Sequence, residues 1–145
     1  MDKKILLVDD AAFMRMLIKD ALTKNGYTNI LEAADGAIAC DVYAAEKPDL
    51  VIMDITMPNK TGIEALKDIK GMDPMAKVVM CSAMGQEAMV VEAIKLGALD
   101  FIVKPFKPDR ILQTVSLIGR VFIKGFVFFR RVAAKQQRQV YRYRN

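Results

Sequence analysis

The chain has 145 residues, 53% of them apolar, and a net charge of +5, which is enough for one domain with a sizeable core. It contains no histidine, so imidazole acid–base catalysis, Ser–His and Cys–His nucleophile pairs and histidine metal ligands are all excluded. The positive charge belongs to the end of the chain: residues 1–119 carry 14 Lys and Arg against 17 Asp and Glu, whereas residues 120–145 carry 8 basic residues and no acid.

Residues 4–8, Lys-Ile-Leu-Leu-Val, read as a buried strand ending on Asp9-Asp10. Phe13, Met14, Met16, Leu17, Ile18 and Ala21 recur at helical spacing, and Asn25-Gly26 stops that helix. A shorter strand is expected over 27–33, closed by the Asp35-Gly36 turn, and a helix over 37–46. Lys47-Pro48 breaks the chain before Leu50-Val51-Ile52-Met53-Asp54, an apolar run that ends on one carboxylate. Uninterrupted apolar runs mark strands covered on both faces. Thr61 and Glu64 have capping-box spacing, so a third helix is expected from Thr61 to about residue 70. A strand over 77–81 ends on Ser82, a helix over 86–96 stops at Gly97, and a strand over 99–103 ends on Lys104-Pro105. Pro108 suits the first turn of a last helix, with Asp109 favourable at its positive end. Five strand–helix alternations predict an α/β fold, a doubly wound parallel sheet with helices on both faces.

The carboxyl ends of the strands share one rim in such a sheet, where α/β folds bind ligands. That rim carries Asp9-Asp10, Asp54, Ser82 and Lys104. Clustered carboxylates repel one another unless a cation joins them, and an all-oxygen set without His or Cys suits a hard cation such as Mg²⁺. Lys104 adds positive charge and Ser82 a hydroxyl donor, a combination that fits a transferring phosphoryl group. The plausible nucleophile is a carboxylate, which forms an acyl phosphate.

Leu7-Val8-Asp9-Asp10, Met53-Asp54-Ile55-Thr56-Met57-Pro58 with Gly62 following, Ser82-Ala83 and Lys104-Pro105-Phe106 together resemble the receiver domain of two-component response regulators. The resemblance covers about residues 3–118 and is closest to stand-alone CheY-type chemotaxis regulators. It implies five strands in the order 2-1-3-4-5, for which flavodoxin and CheY are themselves the general examples. It implies that Asp54 is the phospho-acceptor, that Asp9, Asp10, Asp54 and the Thr56 carbonyl hold Mg²⁺, and that Lys104 contacts the phosphoryl group. Lys104-Pro105 would be a cis peptide. Ser82 and Phe101 would be switch residues that alter the surface of the fourth helix, fifth strand and fifth helix. The implied partners are a histidine kinase as phosphodonor and a flagellar motor switch protein as output. The alternative is a non-chemotaxis or engineered receiver whose tail mediates oligomerisation.

Plainer roles stand beside these. Asp10 directly precedes the first helix and could cap it. Phe101 fits a core position as well as a switch. The methionines, including Met14, Met16, Met53, Met80 and Met89, read as core filler, with Met84 and Met89 the candidates for a partner surface. A phosphohydrolase with an aspartyl-phosphate intermediate needs a second acid close behind its nucleophile, and Thr56 stands there instead. A pseudo-receiver would lack the acidic set, and the set is present.

Cys40 and Cys81 have no CxxC spacing and read as reduced thiols, which points to the cytoplasm. The early Lys3-Lys4 pair meets Asp9-Asp10, unlike a secretory leader, and no segment approaches the roughly 20 apolar residues of a membrane span.

The expected organisation is a receiver domain over 1–119 and a basic, aromatic extension over 120–145. Arg120, Lys124, Arg131, Lys135, Arg138 and Arg142 fall on one stripe if the last helix continues. A β-hairpin turning at Lys124-Gly125 is the competing reading. The extension reads as a non-native addition, a homo-oligomer contact through its aromatic face, or a basic surface for membrane or nucleic acid. No DNA-binding motif is present.

Overall fold

The apolar runs read from the sequence form five strands, each followed by a helix. In chain order these are β1 (Ile5–Val8), α1 (Ala12–Lys24), β2 (Ile30–Ala33), α2 (Gly36–Glu46), β3 (Leu50–Asp54), α3 (Gly62–Met72), β4 (Val78–Ala83), α4 (Glu87–Lys95), β5 (Asp100–Lys104) and α5 (Pro108–Lys124). The structure is a computed structural model that describes residues 3–83 and 86–124, with side chains to Ile118. All pairings are parallel and the order is β2-β1-β3-β4-β5, the order that the receiver resemblance implies.

Strand alternation divides the interior in two. Leu6, Val8, Val51, Met53, Met80 and Phe101 face one side with Ala39, Tyr43, Leu66, Ile69 and Val90 from α2, α3 and α4. Ile5, Leu7, Ile52, Val79, Cys81 and Ile102 face the other with Ile18, Leu22, Ile111 and Val115 from α1 and α5. Each fully buried Leu, Ile or Met side chain contributes about 1.5–3 kcal/mol relative to exposure. Two buried faces explain why β1 and β3 read as unbroken apolar runs.

Several expectations need correction. The second strand begins at Ile30, not at residue 27, because Tyr27 still belongs to the end of α1: its N–H donates to the Leu22 carbonyl at 3.0 Å, beside Gly26 at φ +91°. Only Met53 and Met80 of the five named methionines are fully buried; Met16 and Met89 are 57% and 43% exposed. Their helices turn them outward, past the stripe that meets the sheet. The hairpin reading requires strand at 121–124, and α5 is helical there. Met84 and the extension beyond Lys124 lie outside the described residues. Among the described residues no helix is long and apolar enough to cross a membrane.

Candidate functional site

β1 delivers Asp9 and Asp10 to the rim directly. Asp9 is buried and Asp10 exposed. The Asp9 carboxylate accepts the Ala11 N–H at 2.9 Å and the Lys104 ammonium at 2.9 Å, while its carbonyl accepts the Arg15 guanidinium. Ala11 occupies the N-cap position of α1, and that helix has no side-chain cap. Capping therefore does not explain Asp10.

β3 ends on Asp54, which is buried, with one carboxylate oxygen 3.2 Å from the Lys104 Nζ. Burial pushes the Asp54 carboxyl up from its ordinary range; Lys104 opposes this and the Asp9 charge adds to it. Burial alone would lower the Lys104 ammonium, but its contacts with Asp9 and Asp54 outweigh burial and hold it above its usual value. One oxygen from each of Asp9, Asp10 and Asp54 lies within 4.8 Å of the others. Three carboxylates against one ammonium leave negative charge over, and the donors are all oxygen. That set fits a hard divalent cation.

Neighbouring strands complete the rim. Ser82 is wholly buried near the end of β4, and its hydroxyl is a buried polar atom without a hydrogen-bond partner. Such a group costs about 1–3 kcal/mol when unsatisfied, so it suits a site where another acceptor arrives. Met80 pairs in register with Phe101, and Ser82, two residues further along β4, faces the same side of the sheet. Phe101 is 4% exposed in the α2–α4 core. Lys104 ends β5, and the Lys104–Pro105 peptide is cis.

The loop between β3 and α3 is tied down. The Gly62 N–H donates to the Ile55 carbonyl at 2.8 Å and the Gly36 N–H to the Lys60 carbonyl at 3.2 Å. A Cβ on Gly62 would run into the Asp54 carbonyl. Asp35 caps α2 through the Ile38 N–H and accepts the Asn59 amide at 3.0 Å. Thr61 and Glu64 form the expected capping box.

The structure thus brings Asp9, Asp10, Asp54, Ser82 and Lys104 to one rim. Thr56 lies just beyond Asp54 on the loop, and Phe101 faces the same side of the sheet as Ser82. Sequence reasoning missed Arg15, Asn59 and Gln86 as supporting side chains. Gln86 accepts the Ala83 N–H at 2.8 Å and donates to the Thr56 hydroxyl at 2.7 Å. It missed, too, the buried Asp100, which accepts from the Phe101 N–H, Arg110 and Thr114. Of these, only the Asp35-Gly36 turn that anchors Asn59 had a local signal.

A family model described as the response regulator receiver domain matches residues 5–116. The chain belongs to the response regulator receiver family. Among curated receivers, it is 55% identical over 120 residues to the chemotaxis protein CheY of Thermotoga maritima, covering 83% of this chain and 100% of that protein. It is 58% identical over 116 residues to the chemotaxis protein CheY of Bacillus subtilis, covering 80% and 97%. A crystal structure of a CheX–CheY–BeF3–Mg²⁺ complex from Borrelia burgdorferi matches with a TM-score of 0.74 at 38% identity, covering 78% of this chain and 86% of that one. This receiver is a phosphorylation-activated response regulator of chemotaxis-type signalling, a signalling protein rather than a conventional enzyme.

Proposed function

We propose that Asp54 is the residue phosphorylated, with a separate histidine kinase as donor, as the chain itself has no histidine. The observation that carries this reading is the buried Asp54 carboxylate, which shares one lysine with Asp9 beside an unpartnered serine hydroxyl. A carboxylate oxygen of Asp54 attacks phosphorus. The P–N bond to the donor imidazole breaks, and the nitrogen keeps the bonding pair and takes a proton from solvent. Asp54 is left as an acyl phosphate, which water later cleaves at phosphorus to restore the carboxylate.

Asp9, Asp10, Asp54 and the Thr56 main-chain carbonyl would hold Mg²⁺. When bound, that ion supplies positive charge facing the phosphoryl oxygens. Lys104, already between Asp9 and Asp54, turns its ammonium to a phosphoryl oxygen. Ser82 donates its free hydroxyl to another. Phe101, on the same face of the sheet, follows into the space Ser82 leaves, and the surface of α4, β5 and α5 changes for an output partner such as a flagellar motor switch protein. This is a population shift between two packings, typically coupled by about 1–3 kcal/mol.

We place the receiver unit at 1–119 in the cytoplasm, with 120–145 as an extension. Sedimentation of the full chain and of a chain ending at 119 tests whether the extension brings copies together.

Acetyl phosphate with Mg²⁺ is expected to add one phosphoryl group to the wild-type protein by intact mass and none to Asp54→Asn. Equal modification of Asp54→Asn overturns the assignment. Beryllofluoride with Mg²⁺ is expected to shift the amide signals of Ser82 and Phe101 in the wild type alone.

A further inference from the structure

Gln86 stands at the N-cap position of α4, yet its side chain makes no capping bond to that helix. Its amide is committed elsewhere. The carbonyl oxygen accepts the Ala83 N–H at 2.8 Å, and the amide nitrogen donates to Thr56 Oγ1 at 2.7 Å, across 30 residues of sequence. β3 and β4 are neighbours, with Asp54 in register with Cys81. One half-buried side chain therefore ties Ala83, the last residue of β4 and the neighbour of Ser82, to Thr56 on the loop after β3.

The bond to Ala83 matters chemically. The Ala83 N–H is the main-chain donor immediately beyond Ser82, and a neutral amide oxygen now occupies it. A phosphoryl group is a charged acceptor and forms shorter, stronger hydrogen bonds than a neutral amide does. Any movement that carries Ser82 towards Asp54 also displaces Ala83, and with it the Gln86 bond.

We propose that Gln86 is a positioning residue that latches Ala83, at the end of β4, to Thr56 in the resting receiver, and that engagement of a phosphoryl group at Asp54 requires this latch to open. The proposal rests on the assignment of Asp54 as acceptor. It makes Gln86 a setting for the resting balance between the two packings: with the latch intact the protein stays off until modified, and without it the protein is closer to the switched arrangement.

The test compares wild type, Gln86→Leu, Thr56→Val and the double variant, using beryllofluoride with Mg²⁺ as the probe and urea unfolding to verify that each is folded. Gln86→Leu is expected to bind beryllofluoride roughly 3- to 10-fold more tightly, about the net strength of one ordinary hydrogen bond. Without any ligand, its Ala83 amide is expected to exchange with solvent several-fold faster. Thr56→Val, which keeps the Ala83 bond, should move both readouts less, and adding it to Gln86→Leu should change nothing further. Unchanged or weaker binding by Gln86→Leu, while wild type binds in an Asp54-dependent way, overturns the latch alone. Failure of the wild type to bind through Asp54 overturns the acceptor assignment and the latch with it.

Discussion

The Tyr43 hydroxyl, half of a contact between α2 and the end of α3, donates to the Asp73 carboxylate at 2.8 Å. That bond is the main reason the Asp73 carboxyl lies below its usual range. Burial first, and the same bond second, push the Tyr43 phenol above its ordinary value. The two shifts act at opposite ends of the pH scale. Asp73 contributes stability that is present above the ordinary carboxylate range and lost as pH falls through its lowered value. Tyr43 contributes stability that is present below about pH 10, where the unfolded phenol ionises, and lost as pH rises through its raised value. Tyr43→Phe is expected to cost about 1–2 kcal/mol at neutral pH, to remove the alkaline loss attributable to this phenol and to flatten the acid limb. Urea midpoints across pH check this; an unchanged acid limb would mean that Asp73 is held down by something else. At this scale the sequence was most legible where chemistry and strand ends coincide. Asp54 and Lys104 each close a strand and Ser82 stands one residue short of the end of β4, so their shared rim follows from parallel topology. Gln86 was not legible, because its partners are the amide of Ala83 at the end of β4 and a hydroxyl on another loop. Nothing local in the sequence encodes that pairing.

The elements differ in how plainly their sequences announce them. β1 and β3 are covered on both faces and appear as unbroken apolar runs. β2 lies at the sheet edge, half-buried at Ile30 and Leu31, so its boundary is weak in sequence, and its start was read too early by the span from Tyr27 to Asn29. On α1 the apolar residues exceed what the sheet can cover. Ile18, Ala21 and Leu22 are buried, whereas Phe13, Met16 and Leu17 are 65%, 57% and 46% exposed. Apolar periodicity located that helix without fixing which residues face inward. Its start is also under-capped. Ala11 has the extended φ and ψ of an N-cap but offers no side-chain acceptor. Ala11→Ser is expected to stabilise the protein by about 0.5–2 kcal/mol, raising Tm by about 2–6 °C. Differential scanning calorimetry decides it, and a lowered Tm would mean that a hydroxyl beside Asp9 disturbs the acidic rim more than it helps the helix.

Over the whole molecule, titration reaches beyond the rim. Lys77 leads into β4, and burial, with the Lys3 charge adding to it, lowers its ammonium to about 8, while Asp49 and Asp73 partly oppose the shift. The unfolded chain therefore binds more protons than the folded one between that value and the usual lysine range, and stability from this group rises with pH across the window. Lys77→Gln is expected to gain most over the wild type near neutral pH and to lose that advantage as pH approaches about 10. Urea titrations of both proteins at several pH values report the difference, and a gap independent of pH would sink the argument. A different consequence follows from the loop between β3 and α3. Its two ends meet through Gly62 and Ile55, and its crest is held by Gly36 and Asp35. Surface loops ordinarily absorb added or missing residues at small entropic cost. This one is a closed ring with its own fastenings, so its chain length is set as firmly as the identity of Asp54. A residue added or removed between Ile55 and Gly62 is therefore expected to displace Asp54 from the acidic rim, because the ring cannot close at another length without moving the strand end it springs from.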